Sequence, residues 1–194
     1  EMTLSNRLTF VRLCMSPLIF LVTWFDLSHP GLSWQWAVNG FLVMVATFSE
    51  ISDALDGKLA RDRGQVTDFG KLFDPFADYV YRFTFFFCFW WMQLAPAWMV
   101  VLLFYRETAI SFLRLVVRGE NIVLSARKSG KIKAVSQAIA IFVILLGRLI
   151  TDFIPSFPLA EVSWWTMLLV VIVTLYSMVD YIWAHRDIIG QIHA

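Results

Sequence analysis

Four of the six aspartates between residues 52 and 78 stand at helical spacings of three or four residues next to apolar sequence: Asp53, Asp56, Asp74 and Asp78. If this stretch forms two helices joined near residues 62–67, the first two aspartates share one helix face and the last two share a face of the next helix. A short connection makes the helices antiparallel neighbours, so the four carboxylates can converge. Because carboxylate oxygens suit Mg²⁺ and Mn²⁺, we predict a site for two such ions about 3.5–4 Å apart, suited to displacement at phosphorus.

The cost of charge inside a membrane bears on the same four residues. A charge at the bilayer centre costs about 2.5–3.5 kcal/mol even on lenient scales, so the aspartates need metal ions, water or Arg61 as partners. The alternative interpretation is two polar helix ends at a membrane surface with four solvated aspartates. The regular spacing favours the metal site.

The same stretch resembles the signature of the CDP-alcohol phosphotransferases, D-x2-D-G-x2-A-R-x8-G-x3-D-x3-D. Every specified position and every spacing is kept, in Asp53, Asp56, Gly57, Ala60, Arg61, Gly70, Asp74 and Asp78. The resemblance implies that the four aspartates bind the metal ions and that Asp78 also serves as general base for the acceptor hydroxyl. It further implies a seat for the CDP group made by Asp56, Gly57, Ala60, Arg61, Thr67 and Gly70.

Side-chain chemistry agrees with that seat. Gly57 and Gly70 have no side chain to keep a nucleotide away from the backbone. The guanidinium of Arg61 can fork onto phosphate oxygens.

Composition places the chain among membrane proteins. Of its 194 residues 59% are hydrophobic and only 16% are charged, with a mean hydropathy of +0.67. We predict one all-α membrane domain over residues 1–194, with a short polar interfacial segment at residues 2–7 followed by six transmembrane helices. The predicted spans are residues 8–27, 34–59, 68–94, 98–117, 134–150 and 162–183.

The basic residues predict the orientation of these spans. With the N-terminus inside, every lysine and arginine except Arg148 falls on or near the inner side. The positive-inside rule then puts both termini and the aspartates on the cytoplasmic side. We therefore expect a multi-pass protein of the bacterial inner membrane whose active site faces the cytoplasm.

A second group of charged residues follows the aspartates. It comprises Arg106, Arg114, Lys131 and Lys133. Arg106 stands well inside an apolar run, where an ionisable residue is a functional candidate by default. We predict that the four cations form a pocket for an acceptor that carries its own phosphate. For Arg118, Arg127 and Lys128, contact with anionic lipid headgroups is an equal alternative.

Two further stretches are similar to the phosphatidylglycerophosphate synthases within that family: residues 106–114 with 129–137, and residues 5–12. Two departures are the missing proline near residue 6 and Tyr79, which stands where a lysine often follows the last aspartate. The resemblance implies transfer of a phosphatidyl group from CDP-diacylglycerol to sn-glycerol 3-phosphate, in a homodimer.

Other functions remain open at this point. The same chemistry could use inositol phosphate, serine or inositol as acceptor. A cation transporter also keeps carboxylates in the membrane, but we would expect them at the midplane on broken helices. A structural scaffold explains the spans and none of the aspartate spacing. Besides substrates and lipids we expect no nucleic acid as partner.

Overall fold

A computed structural model describes residues 4–31, 34–63, 68–119 and 127–186; within these, the side chains of residues 4–8, 53–63, 68–72 and 116–119 are not described. The described chain is all-helical, as predicted. It forms six helices: α1 Leu4–Ser28, α2 Gln35–Arg63, α3 Asp68–Trp91, α4 Ala97–Gly119, α5 Lys128–Phe153 and α6 Leu159–Ala184. All six apolar runs of the sequence therefore correspond to helices.

Most helix ends differ from the predicted spans by a few residues, and three of the differences have a visible structural basis or consequence. α1 begins at Leu4, so part of the predicted interfacial segment is helical. α3 ends at Trp91, because Gln93 adopts a left-handed φ of 62° and the N–H of Leu94 turns back to the carbonyl of Phe89. α5 begins at Lys128, so the charged residues 128–133 belong to the helix rather than to the preceding loop.

Helices α3 and α5 each pack against three other helices. Helix α3 packs against α1, α4 and α5, while α2 packs against α1 and α5, and α6 packs against α4 and α5. The buried core is aromatic and aliphatic, and its largest members include Phe85, Phe86, Phe89, Leu103, Ile144 and Met167. The outer surface carries large exposed apolar side chains such as Trp165 and Tyr176, which suits contact with lipid.

Three of the described helices are long and apolar enough to cross a membrane: residues Thr9–Ser28 of α1, together with α5 and α6. The other three carry more charged residues, most of them at the end of the bundle that holds Asp78. Spanning by α2, α3 and α4 therefore stays a prediction.

The opposite end of the bundle holds a closed ring of polar contacts. Arg148 of α5 pairs with Asp26 of α1 at 2.7 Å, and Gln35 of α2 donates to the same carboxylate at 3.2 Å. Asn39 lies one turn after Gln35 on α2, and Asp152 lies one turn after Arg148 on α5; Asn39 donates to Asp152 at 2.6 Å. The Asp26 side chain is 1% exposed, so these protein groups rather than water surround its carboxylate. The ring joins three helices far from Asp78.

We expect Asp26→Leu to lower the free energy of unfolding by about 3–5 kcal/mol, because it leaves the Arg148 guanidinium buried without its counter-charge. The double variant Asp26→Leu/Arg148→Met should recover most of that loss, since it removes both charges. Denaturant unfolding in detergent micelles measures the effect. Equal stability of Asp26→Leu and the wild type would show that the ion pair contributes nothing.

Candidate active site

Two of the four signature aspartates have described side chains, and both lie on one face of α3. Asp74 and Asp78 are one helical turn apart and partly buried. The hydroxyl of Thr9 on α1 donates to Oδ1 of Asp74 at 2.5 Å. The packing of α1 against α3 therefore fixes one wall of the predicted metal site.

The remaining signature residues are less fully described. Six of them lie within described helices, but their side chains are not described: Asp53, Asp56, Gly57, Ala60 and Arg61 in α2, and Gly70 in α3. Thr67 lies outside the described residues altogether. Since α2 ends at Arg63 and α3 begins at Asp68, the two halves of the signature belong to successive helices, as the sequence predicts. Convergence of the four carboxylates stays a prediction.

Asp78 has cationic neighbours that the sequence analysis did not assign to it. Arg82, one turn further along α3, donates through Nε to Oδ1 of Asp78 at 2.8 Å. Arg12 of α1 approaches the same oxygen at 4.0 Å. The i, i+4 spacing of Asp78 and Arg82 is the signal in the sequence that could have revealed the first pair.

A cavity of about 240 Å³ opens beside Asp78, between α3, α4, α5 and Tyr181 of α6. Its walls include all four residues predicted to hold the acceptor phosphate, namely Arg106, Arg114, Lys131 and Lys133. Among the described residues that line the cavity, these four with Arg82 and Arg127 make six cationic residues against two anionic ones, Asp78 and Glu107. Such a cavity favours an anionic ligand.

Glu107 organises the inner part of the cavity. Its carboxylate accepts hydrogen bonds from Lys133 Nζ at 2.5 Å and from Arg106 at 3.1 Å. Arg106 is almost completely buried and also donates to Ser177 of α6 at 2.9 Å. The inner cations are therefore held in place by protein partners, and part of their charge is already balanced.

The outer part of the cavity is different. Arg114 contacts Tyr181 at 3.4 Å through Nε, with its guanidinium carbon 5.4 Å from the centre of the ring. Lys131 is exposed, and no carboxylate among the described side chains pairs with it or with Arg114. Arg127 differs, because it makes a two-pronged ion pair with Asp180 at 2.8 and 2.9 Å. Arg114 and Lys131 are thus the cations best able to bind a new anion.

The donor chemistry of the predicted metal site fits a hard cation. Asp74 and Asp78 offer only oxygen, and oxygen ligands suit Mg²⁺ and Mn²⁺. No group of three or more His, Cys, Asp or Glu side chains forms within the described part of the chain. The other two predicted ligands, Asp53 and Asp56, have side chains outside the described part, so the complete ligand set stays a prediction.

Comparison with known proteins places the chain in a family. Residues 2–181 match the family model described as CDP-alcohol phosphatidyltransferase. The chain therefore belongs to the CDP-alcohol phosphatidyltransferase family and is a transferase, as the signature predicts. Members of this family generally depend on a divalent metal. Family membership and the three apolar helices of the described chain together identify it as a membrane protein.

Individual relatives narrow the similarity further. The chain is 30% identical over 187 residues to the CDP-diacylglycerol–glycerol-3-phosphate 3-phosphatidyltransferase of Bacillus subtilis (strain 168), covering 93% of this chain and 95% of the relative. It is 33% identical over 190 residues to a probable phosphatidylglycerophosphate synthase of Mycobacterium tuberculosis, covering 96% and 84%. A CMP-forming cardiolipin synthase of Streptomyces coelicolor is 32% identical over 110 residues, covering 56% and 48%.

Proposed function

We propose that this protein transfers the phosphatidyl group of CDP-diacylglycerol to sn-glycerol 3-phosphate, giving phosphatidylglycerol phosphate and CMP. The observation that carries the proposal is that one cavity is lined both by Asp78 and by a group of cations suited to an acceptor phosphate. The names of the full-length relatives support the same reaction.

Asp78 is the proposed general base. Its carboxylate lines the cavity and takes the proton from the acceptor hydroxyl as that oxygen attacks the lipid-linked phosphorus in line. The bond between this phosphorus and the CMP oxygen breaks, and CMP leaves. The Oδ1 atom of Asp78 is engaged by Arg82, so Oδ2 is the oxygen available for the proton.

The proposed metal ligands are Asp53, Asp56, Asp74 and Asp78, holding two ions of Mg²⁺ or Mn²⁺. When bound, these ions supply positive charge that balances the diphosphate and the departing CMP. The proposed seat of the CDP group is formed by Asp56, Gly57, Ala60, Arg61, Thr67 and Gly70, where Arg61 pairs with phosphate oxygens.

The acceptor phosphate binds, in this proposal, between the outer and inner cations. Arg114 and Lys131 bind the dianion first, because no carboxylate among the described side chains balances them. Arg106 and Lys133, held by Glu107, then orient it below the outer pair. A neutral acceptor such as inositol has no group that uses these four cations, which is why a phosphorylated acceptor fits best.

The topology follows from the charge distribution. We place Asp78 and the basic cavity on the cytoplasmic side of the bacterial inner membrane, with the polar ring around Arg148 on the other side. The acyl chains of the lipid substrate lie between helices toward the bilayer. Family resemblance supports a homodimer as the working assembly.

The first experiment measures CMP release by the purified protein in detergent with CDP-diacylglycerol and Mg²⁺ or Mn²⁺. The acceptors compared are glycerol 3-phosphate, inositol phosphate, inositol, serine and phosphatidylglycerol. We expect release with glycerol 3-phosphate alone, and none after addition of a chelator. Release with phosphatidylglycerol instead would favour the cardiolipin synthase activity named in the Streptomyces relative. Silence with every acceptor would contradict the proposed reaction.

A further inference from the structure

Arg82 lies at the junction of three helices. Its Nε donates to Asp78 on its own helix, one NH group donates to the backbone carbonyl of Ala134 on α5, and the other lies 3.4 Å from Glu50 on α2. The side chain is only 8% exposed. All three nitrogens of this guanidinium are therefore engaged by groups that belong to different helices.

A buried arginine with this set of partners fixes the carboxylate it touches. The guanidinium is planar and its donors have fixed directions, so anchoring two nitrogens on α2 and α5 determines where the third can donate. That third donor meets Oδ1 of Asp78. Among the described residues, the hydrogen bond to Asp78 goes to Oδ1, and none goes to Oδ2.

From this geometry we infer that Arg82 is a positioning residue for Asp78. It holds Oδ1 of the carboxylate and so keeps Oδ2 directed to the metal and the acceptor hydroxyl. The inference rests on the role proposed for Asp78 and extends it to a residue outside the family signature. In this proposal Arg82, whose side chain also lines the cavity, acts through Asp78 rather than by binding substrate or metal itself.

Arg82→Lys is the variant that tests it. Lysine keeps the positive charge, but a single ammonium cannot reach Asp78, Glu50 and the Ala134 carbonyl with fixed geometry. Partners that orient a metal ligand typically contribute about 10–100-fold to metal affinity or activity. At saturating Mn²⁺ we expect kcat for CMP release to fall by about that factor, with the KM for glycerol 3-phosphate within about 2-fold of the wild type.

Arg148→Lys is the matched control. Arg148 is also a largely buried arginine, 11% exposed, that is paired with an aspartate at 2.7 Å. It stands 14 residues beyond Ala134, about 21 Å along α5. We expect both variants to lower the thermal unfolding midpoint, and only Arg82→Lys to lower kcat. A purely structural role for Arg82 predicts the same behaviour for the two variants.

A second measurement separates this inference from the proposed reaction. Binding of Mn²⁺ alone, followed by the EPR signal of the free ion, needs neither lipid nor acceptor. We expect the Mn²⁺ Kd of Arg82→Lys to rise about 10-fold, with Arg148→Lys unchanged. An unchanged Kd in Arg82→Lys would overturn the inference even if the wild type releases CMP. A raised Kd would support it even if no tested acceptor reacts.

If Arg82→Lys does not fold, the variant Glu50→Gln still tests the inference. Glu50→Gln weakens only one of the anchors of Arg82 and leaves its contact with Asp78 in place. We expect a smaller change in kcat and in Mn²⁺ affinity, in the same directions. Wild-type values for both in Glu50→Gln, with Arg82→Lys unfolded, would count against the positioning role.

Discussion

Asp78→Asn should lower kcat for CMP release by about 10²–10⁴-fold, the range that a general base contributes. Asparagine has nearly the same shape and keeps one oxygen, but its amide cannot accept the proton of the acceptor hydroxyl. It also offers the metal a neutral oxygen in place of a charged one. The measurement is CMP release at saturating CDP-diacylglycerol, glycerol 3-phosphate and Mg²⁺.

Asp152→Asn provides the comparison for this result. Asp152 is an exposed aspartate that accepts a hydrogen bond from Asn39 at the opposite end of the bundle. The same change in chemistry there should leave kcat unaltered. Full activity of Asp78→Asn would remove Asp78 from the role of base, whatever the behaviour of the other signature residues.

The double variant Arg114→Gln/Lys131→Gln should raise the KM for glycerol 3-phosphate by about 100-fold. Each charge-assisted hydrogen bond to an anion contributes about 1.5 kcal/mol, or roughly a factor of ten in binding. Because these two cations have no carboxylate partner among the described side chains, their removal leaves no buried charge behind. We expect kcat to change little, since the pair acts in binding.

Lys128→Gln is the control for the outer cations. Lys128 begins α5 about one turn before Lys131, is exposed as Lys131 is, and is not among the residues that line the cavity. Its loss should leave the KM near that of the wild type. The double variant should also show a weaker dependence of kcat/KM on ionic strength, because screening acts on exposed charges. A similar KM for Lys128→Gln and Lys131→Gln would assign Lys131 to general surface charge.

The sequence predicts the number and order of the helices because each apolar run exceeds the length of an ordinary turn or loop. Helix ends were harder to predict. The end of α3 depends on a left-handed residue that is glutamine rather than glycine, so no local signal marks it. The early start of α5 depends on distant contacts: Ser129 and Lys133 hydrogen-bond to Asp180 and Glu107.

In the candidate site too, patterns within a short stretch of sequence could be predicted, whereas contacts between distant residues could not. The aspartate spacing and the charge of Arg106 inside an apolar run are visible in the sequence, and the structure places Asp78 and the predicted acceptor cations around one cavity. Two features were not predictable. The bond from Arg82 to the Ala134 carbonyl joins residues 52 apart. The balancing of Arg106 and Lys133 by one carboxylate requires the side chain of Lys133 on α5 to reach Glu107 on α4.

The ion pair between Asp26 and Arg148 has a consequence for biosynthesis. The two residues are 122 positions apart, and at about 5–20 residues per second a ribosome needs roughly 6–24 s to pass from one to the other. During that interval α1 carries a carboxylate without its arginine. The first helix must therefore stay accessible within the bilayer until the fifth arrives, so assembly of the bundle is completed late, after most of the chain has been synthesised.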